Sequence, residues 1–282
     1  GVCVFSLLAS GGPSPSRDAQ RPCSHAQTST AGCIDMRADL YRNLAEVEDA
    51  HWWFRSRRRI VVDLLASLGR RAGGTARILD VGAGTGATTA ALSVLGSVDA
   101  LENAPVALEF LRRRPGVNVV VGELPNAELP SATYKIVTAL DVLEHIEDDR
   151  AALGDMARVL VPGGHLLLTV PAHPWLWTNF DEACHHFRRY RPSELEALVR
   201  DVGLEIRFSS PLQTLLFPLF VVDRLTHRVV PRRAEVTVPP RPLNRILEAV
   251  FSIESLWLTR GRSAPFGSSQ LVLARLPATR GA

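Results

Sequence analysis

Between residues 77 and 170 the chain alternates short apolar stretches with helix-length amphipathic ones, and this alternation restricts the fold more than any other feature. Arg77 to Val81, Val98 to Leu101, Val117 to Val121, Ile136 to Ala139 and His165 to Val170 are strand-length and mostly Val, Ile, Leu and Ala. Thr85 to Leu95, Pro105 to Arg113 and Arg150 to Leu160 carry helical spacing, the last stopped by Pro162-Gly163-Gly164. Strands separated by such helices call for a parallel, doubly wound sheet with both faces covered. Right-handed crossovers then bring the carboxyl ends of the strands to one edge, where ligands bind.

The flanks are read separately. Residues 1–35 are rich in Gly, Pro, Ser and Thr, show no amphipathic period, and precede the first methionine, Met36; they are expected to be a disordered or non-native extension. Residues 36–75 are expected to form a helical cap of two helices, with Leu40, Leu44, Val47 and His51 on one stripe and Ile60, Val61, Leu64, Leu65 and Leu68 on the next. Residues 76–282 form the main domain. Ser193 to Val202 is a helix, with Ser193 as N-cap and Glu196 closing a capping box. Leu204 to Ser209 is a sixth strand and Gln270 to Leu276 a last one, with an apolar, proline-broken helical insertion at about 211–266 between them.

Composition excludes several classes. Hydrophobic residues are 46% of 282, enough for a sizeable core, and no apolar run is long enough to cross a bilayer. Lys135 is the only lysine among 32 basic residues, which points to a coding bias. Runs such as Arg57-Arg58-Arg59 and Arg188-Arg189 are dispersed with acids nearby, so they read as solvated faces, and no nucleic-acid partner is expected. Cys3, Cys23, Cys33 and Cys184 show neither a disulfide framework nor zinc spacing, and the default location is a reducing cytoplasm.

The strongest local signal is Ile78-Leu79-Asp80-Val81-Gly82-Ala83-Gly84-Thr85-Gly86 at the first strand-to-helix turn. Glycines there let backbone approach a ligand that would collide with a Cβ. Glu102 follows at the end of the second strand, at the spacing of a carboxylate that accepts both hydroxyls of a ribose. Gly82, Gly84 and Ala87 satisfy a dinucleotide fingerprint; Asp80 with Gly82, Gly84 and Gly86 satisfies an S-adenosylmethionine pattern equally well.

The surrounding motifs separate the two. Asp80 to Gly86, Glu102-Asn103, Gly122-Glu123-Leu124, Asp141-Val142-Leu143-Glu144-His145 and Leu160-Val161-Pro162-Gly163-Gly164 follow one another in the order found in class I S-adenosylmethionine-dependent methyltransferases. The run from Ile78 to Val170 resembles that family, in particular its type 11-like small-molecule branch. A finer resemblance to bacterial methyltransferases of unassigned substrate extends through His51-Trp52-Trp53-Phe54-Arg55, Asp181-Glu182 and His186-Phe187-Arg188-Arg189-Tyr190. Glu123 stands where aspartate is commoner near the adenine, and Ala83 where cysteine or another small residue is frequent.

The resemblance implies a Rossmann-like seven-stranded methyltransferase sheet with helices on both faces and the last strand antiparallel beside the fifth. It implies S-adenosyl-L-methionine as cofactor, bound by Asp80, Gly82, Ala83, Gly84, Gly86, Glu102, Asn103, Glu123, Leu124 and Asp141. Glu102 would take the ribose, Glu123 and the Leu124 amide the adenine edge, and Asp80 with the Gly82 carbonyl the ammonium. His145 follows Asp141 by four residues, so the two would share a face if the turn were helical, and both are candidate catalytic residues. Asp181, His186, Arg189 and Tyr190 are expected to shape the acceptor pocket or a buried polar network; no metal is expected there. Trp52, Trp53 and Phe54 are either core with one ring at the sheet edge or an aromatic lid.

The expected reaction is methyl transfer to a small-molecule or lipid-linked acceptor. An NAD(P)-dependent oxidoreductase would leave the Asp141-to-His145 and Pro162-Gly163-Gly164 motifs without a use, and a non-catalytic donor-binding module is the other alternative. Leu212, Leu215, Leu216, Phe217, Leu219, Phe220 and Val221, followed by Arg224, His227 and Arg228, suit a hydrophobic acceptor and peripheral contact with a membrane.

Overall fold

The computed structural model describes residues 36–69, 76–125, 127–229 and 236–278. The expectation for residues 1–35 and the Gly73-Gly74 stop lie outside the described residues. Seven strands form one sheet: β1 (Ala76–Val81), β2 (Gly96–Glu102), β3 (Val117–Val121), β4 (Tyr134–Leu140), β5 (Leu160–Pro171), β6 (Glu205–Leu212) and β7 (Ser269–Arg275). Their order is β3-β2-β1-β4-β5-β7-β6. The first five pair in parallel, and β7 runs antiparallel between β5 and β6. The sheet therefore reverses its winding between β1 and β4, and the carboxyl ends of β1, β2, β3 and β4 share one edge.

The sheet is buried on both sides because its strands are apolar on both faces. One layer holds α5 (Asp149–Val159) and α7 (Pro192–Asp201), which bury Leu153, Met156, Leu195 and Val199. The opposite layer holds α2 (Trp52–Gly69) and α9 (Arg241–Thr259), joined through Trp52, Trp53, Ile60, Phe251 and Leu258. Trp52 and Trp53 both meet the Phe251 ring edge to face, so these two indoles are core and do not form a lid. The side-chain carbonyl of Asn244 accepts the Trp52 amide at 2.9 Å, so a residue of the 211–266 segment caps the first turn of α2.

The remaining elements are α1 (Met36–Val47), α3 (Ala87–Leu92), α4 (Pro105–Leu111), α6 (Asn179–Ala183) and α8 (Phe217–Val229). Two local expectations are corrected. Pro192 occupies the first turn of α7 and moves the N-cap two residues back, from Ser193 to Arg191, so Glu194, not Glu196, reaches back to the Arg191 amide at 3.4 Å. Pro218 does not interrupt a helix either; it sits in the first turn of α8, where its missing N–H costs nothing.

Candidate active site

The glycine turn after β1 runs Gly82, Gly84 and Gly86 through φ values of +63°, +58° and +87°. A side chain at Gly82 would strike Val142, whereas one at Gly84 would enter open space, the cavity itself. Glu102 organises the turn. Its carboxylate accepts the amides of Gly84 at 2.8 Å and of Asn103 and Ala104 at 2.9 Å each. Three backbone donors hold this buried acid aimed at the sheet edge.

Asp80 lies beneath the turn. Thr89 Oγ1 and Thr138 Oγ1 each donate to it at 2.6 Å, and burial pushes its pKa up. It lines a small cavity of about 90 Å³ together with Arg57, Gly82, Ala83 and Gly84. Across the edge, Leu124 is buried, Glu123 is exposed, and Asn103 donates its side-chain amide to Glu123. Gly82, Gly84, Glu102, Asn103, Glu123 and Leu124 all line the main cavity of about 410 Å³, as does Asp141. Gly86 lies outside both linings and packs on Leu111 and Arg114; a Cβ there would come within 2.5 Å of Leu111.

The cavity continues past Asp141 along Val142, His145, Ile146, Cys184, His185 and Phe187, with Leu40, Tyr41 and Leu44 of α1 on another wall. Asp141 and His145 do not share a helix face as expected. Asp141 has φ +54°, and only Leu143–His145 form a single 3-10 turn. The Asp141 carboxylate turns inward, where the Arg57 guanidinium donates to it and Thr169 Oγ1 donates at 3.1 Å. Arg57 also donates to Thr169, so α2 is tied to the ends of β4 and β5. The solvated-face reading of Arg57 is thus wrong: it is buried and stacks on Trp53.

Arg189 is likewise interior. Its Nε donates to Asp181 at 2.7 Å with both side chains fully buried. Asp181 also takes the Thr178 amide at 2.9 Å, His186 Nδ1 at 3.1 Å and Arg224 at 3.6 Å. Burial works to raise its pKa, but His186, Arg189 and Arg224 outweigh it and hold Asp181 well below the usual carboxylate range. Tyr190 donates to Asp149 at 2.8 Å, and burial followed by that carboxylate pushes its pKa up. Arg224, expected on an exposed rim, points inward over Phe180 and Phe220. The side chains of His227 and Arg228 lie outside the described residues.

Glu144 was not singled out in the sequence. It is 1% exposed, and burial, then the Asp141 charge, push its pKa up to about 8. The fold brings it beside His145 and His186, a grouping for which residue spacing gave no signal.

The strand order, the glycine turn and the Glu102 carboxylate together define a class I S-adenosylmethionine-dependent methyltransferase architecture. A family model described as a methyltransferase domain matches residues 53–207, more than half of the chain, and the chain belongs to that family. It is 29% identical over 153 residues to a ubiquinone biosynthesis O-methyltransferase of Pseudomonas putida and 32% identical over 151 residues to one of Pseudomonas paraeruginosa. Each alignment covers 46% of this chain and 65% of the relative. The Haemonchus contortus phosphoethanolamine N-methyltransferase 2 in complex with S-adenosyl-L-methionine superposes with a TM-score of 0.53 at 17% identity, over 87% of this chain and 61% of that one. At that identity the likeness is one of fold.

Proposed function

We propose that the protein moves a methyl group from S-adenosyl-L-methionine to an apolar, lipid-like small molecule. The observation that carries this reading is the continuity of the main cavity. One half is a glycine turn with a carboxylate held by three amides, and the other is an apolar wall of Val142, Ile146, Cys184 and Phe187. S-adenosyl-L-methionine supplies an electrophilic methyl carbon on a sulfonium. Glu102 would accept the ribose hydroxyls on the lone pairs its amide donors leave, and Glu123, held by Asn103, would meet the adenine edge together with the Leu124 amide. Asp80 and the Gly82 carbonyl face the ammonium from the small cavity, beside the turn of Gly82, Ala83, Gly84 and Gly86. Asp141 is committed to Arg57 and Thr169, so its role is to fix the turn. His145, on the cavity wall, is the group through which the chain acts on the acceptor.

The acceptor half would hold the reacting group of the acceptor close to the donor, and such positioning supplies much of the rate. The names of the curated relatives favour oxygen as the atom methylated. Exposed apolar side chains, Leu219, Val222 and Leu225 on α8 and Ile253, Leu256 and Trp257 on α9, support a hydrophobic acceptor and a membrane-peripheral location. Arg241, Arg245, Arg260 and Arg262, on α9 and just after it, are exposed, and Arg262 sits over Trp257. Among the described residues no helix is long and apolar enough to cross a membrane.

Calorimetry with S-adenosylhomocysteine and with NAD, then labelled donor with fractionated cell extracts, tests the reading. S-adenosylhomocysteine binding and label in the organic-extractable fraction are expected. Binding of NAD alone, or donor binding with no labelled product from any fraction, rejects it.

A further inference from the structure

The turn after β4 and the loop after α6 bring Glu144, His145 and His186 together, with one ligand atom from each within 4.8 Å of the others. The Phe187 amide donates to the Glu144 carbonyl at 2.8 Å, and the two imidazoles meet edge to face with centroids 4.7 Å apart. Glu144 is buried, and among the described residues neither carboxylate oxygen finds a hydrogen-bond partner in another side chain or backbone. An unmatched carboxylate in the interior is costly unless a cation or a proton compensates it.

His186 supplies an independent observation. Asp181 is an anion and can only accept, so the proton between it and His186 resides on Nδ1. Nε2 is then a lone pair, and among the described residues it has no hydrogen-bond partner. A carboxylate that orients an imidazole through Nδ1 and leaves Nε2 open is the outer shell that metal-ligating histidines carry.

We propose that Glu144, His145 and His186 form a divalent-cation site that opens on the main cavity through His145. Two imidazoles and one carboxylate suit a first-row transition cation such as Zn²⁺ or Mn²⁺ better than Mg²⁺. In a tetrahedral site with bonds of ~2.1 Å the ligand atoms sit roughly 3.4 Å apart, so modest side-chain rotations close the site. Three protein ligands leave a coordination position facing the cavity. Its use rests on the methyl-transfer reading: an acceptor hydroxyl binds there, its pKa falls, and its proton passes to solvent, which makes the acceptor an oxygen nucleophile.

The test uses the full chain stripped with a chelator and titrated separately with Zn²⁺, Mn²⁺ and Mg²⁺ against a chromogenic chelator, with metal analysis after gel filtration. One equivalent of Zn²⁺ or Mn²⁺ is expected, with affinity lowered at least about tenfold to a hundredfold in Glu144→Gln and His186→Gln. S-adenosylhomocysteine binding by the same samples reports whether each variant is folded. No stoichiometric cation on the wild type overturns the site without any variant. Wild-type affinity in a folded Glu144→Gln overturns it too, and retention of Mg²⁺ alone overturns the transition-cation assignment. A retained transition cation in a protein that binds no donor supports the site and counts only against the methyl-transfer reading.

Discussion

The two halves of the cavity are built from different materials. The donor half is backbone: a turn of three positive-φ glycines and a carboxylate held by three main-chain amides. Behind the apolar wall of the acceptor half stands buried side-chain charge, with Asp141 on Arg57, Asp181 on Arg189 and Arg224, and Glu144 among imidazoles. A backbone site binds its ligand whatever the rest of the chain does, so one sheet can serve many acceptors. A charge network costs desolvation, and each member depends on the others. Damage to the donor half should therefore appear as lost affinity, and damage to the acceptor half as lost stability.

The largest expected effect is on the acceptor side. Arg189→Met takes the nearest cation from the fully buried Asp181, leaving the Thr178 amide, His186 and Arg224 at 3.6 Å, and should cost about 3–5 kcal/mol in urea unfolding. A loss below 1 kcal/mol would mean that the network is decoration and the comparison fails. Next comes Glu102→Ala, which should weaken S-adenosylhomocysteine by about 1.5–3 kcal/mol, or roughly tenfold to a hundredfold in Kd. An unchanged Kd removes Glu102 from the donor site.

This division also explains what was legible in the sequence. Backbone turns leave composition signatures, because a run of positive φ values strongly favours glycine, so Gly82, Gly84 and the strand-end Glu102 could be placed from spacing and resemblance. The five parallel strands were legible because they are apolar on both faces. Side-chain networks leave no such trace. Arg57 sits in a run that looks solvated and Glu144 in a run that looks acidic, yet contacts 84 and more than 40 residues away in the chain bury them. Even Arg224, beside exposed Leu225, turns inward because Thr178 and Asp181 lie within reach.

The pH dependence of the metal-free protein should sort the buried acids by sign. Asp181, held low, contributes stability above the ordinary carboxylate pKa of 3.8 that is lost as pH falls through its lowered value. Glu144, pushed up to about 8 from 4.5, contributes stability that is complete below 4.5 and lost as pH rises through about 8. Glu144→Gln should flatten the alkaline decline and leave the acid limb, and Asp181→Asn should do the reverse. Urea midpoints collected from pH 3 to pH 9 decide it; a wild-type alkaline decline that survives in Glu144→Gln assigns it to another group.

The smallest effect on stability should come from the exposed apolar face of α9. Ile253 and Trp257 are 62% and 47% exposed, so Ile253→Glu with Trp257→Glu should shift unfolding by no more than about 1 kcal/mol, as surface changes do. If the face meets a bilayer, the same pair should abolish vesicle association. Each apolar side chain taken into the interface contributes up to about 1.5–3 kcal/mol, and a charge there is repelled by anionic lipid. The exposed Arg241, Arg245, Arg260 and Arg262 should make wild-type binding stronger on anionic than on neutral vesicles and weaker in salt. Flotation on both vesicle types measures this directly. A wild type that stays with the soluble fraction in both removes the membrane, and an acceptor found only among hydrophilic metabolites removes the lipid-like substrate with it.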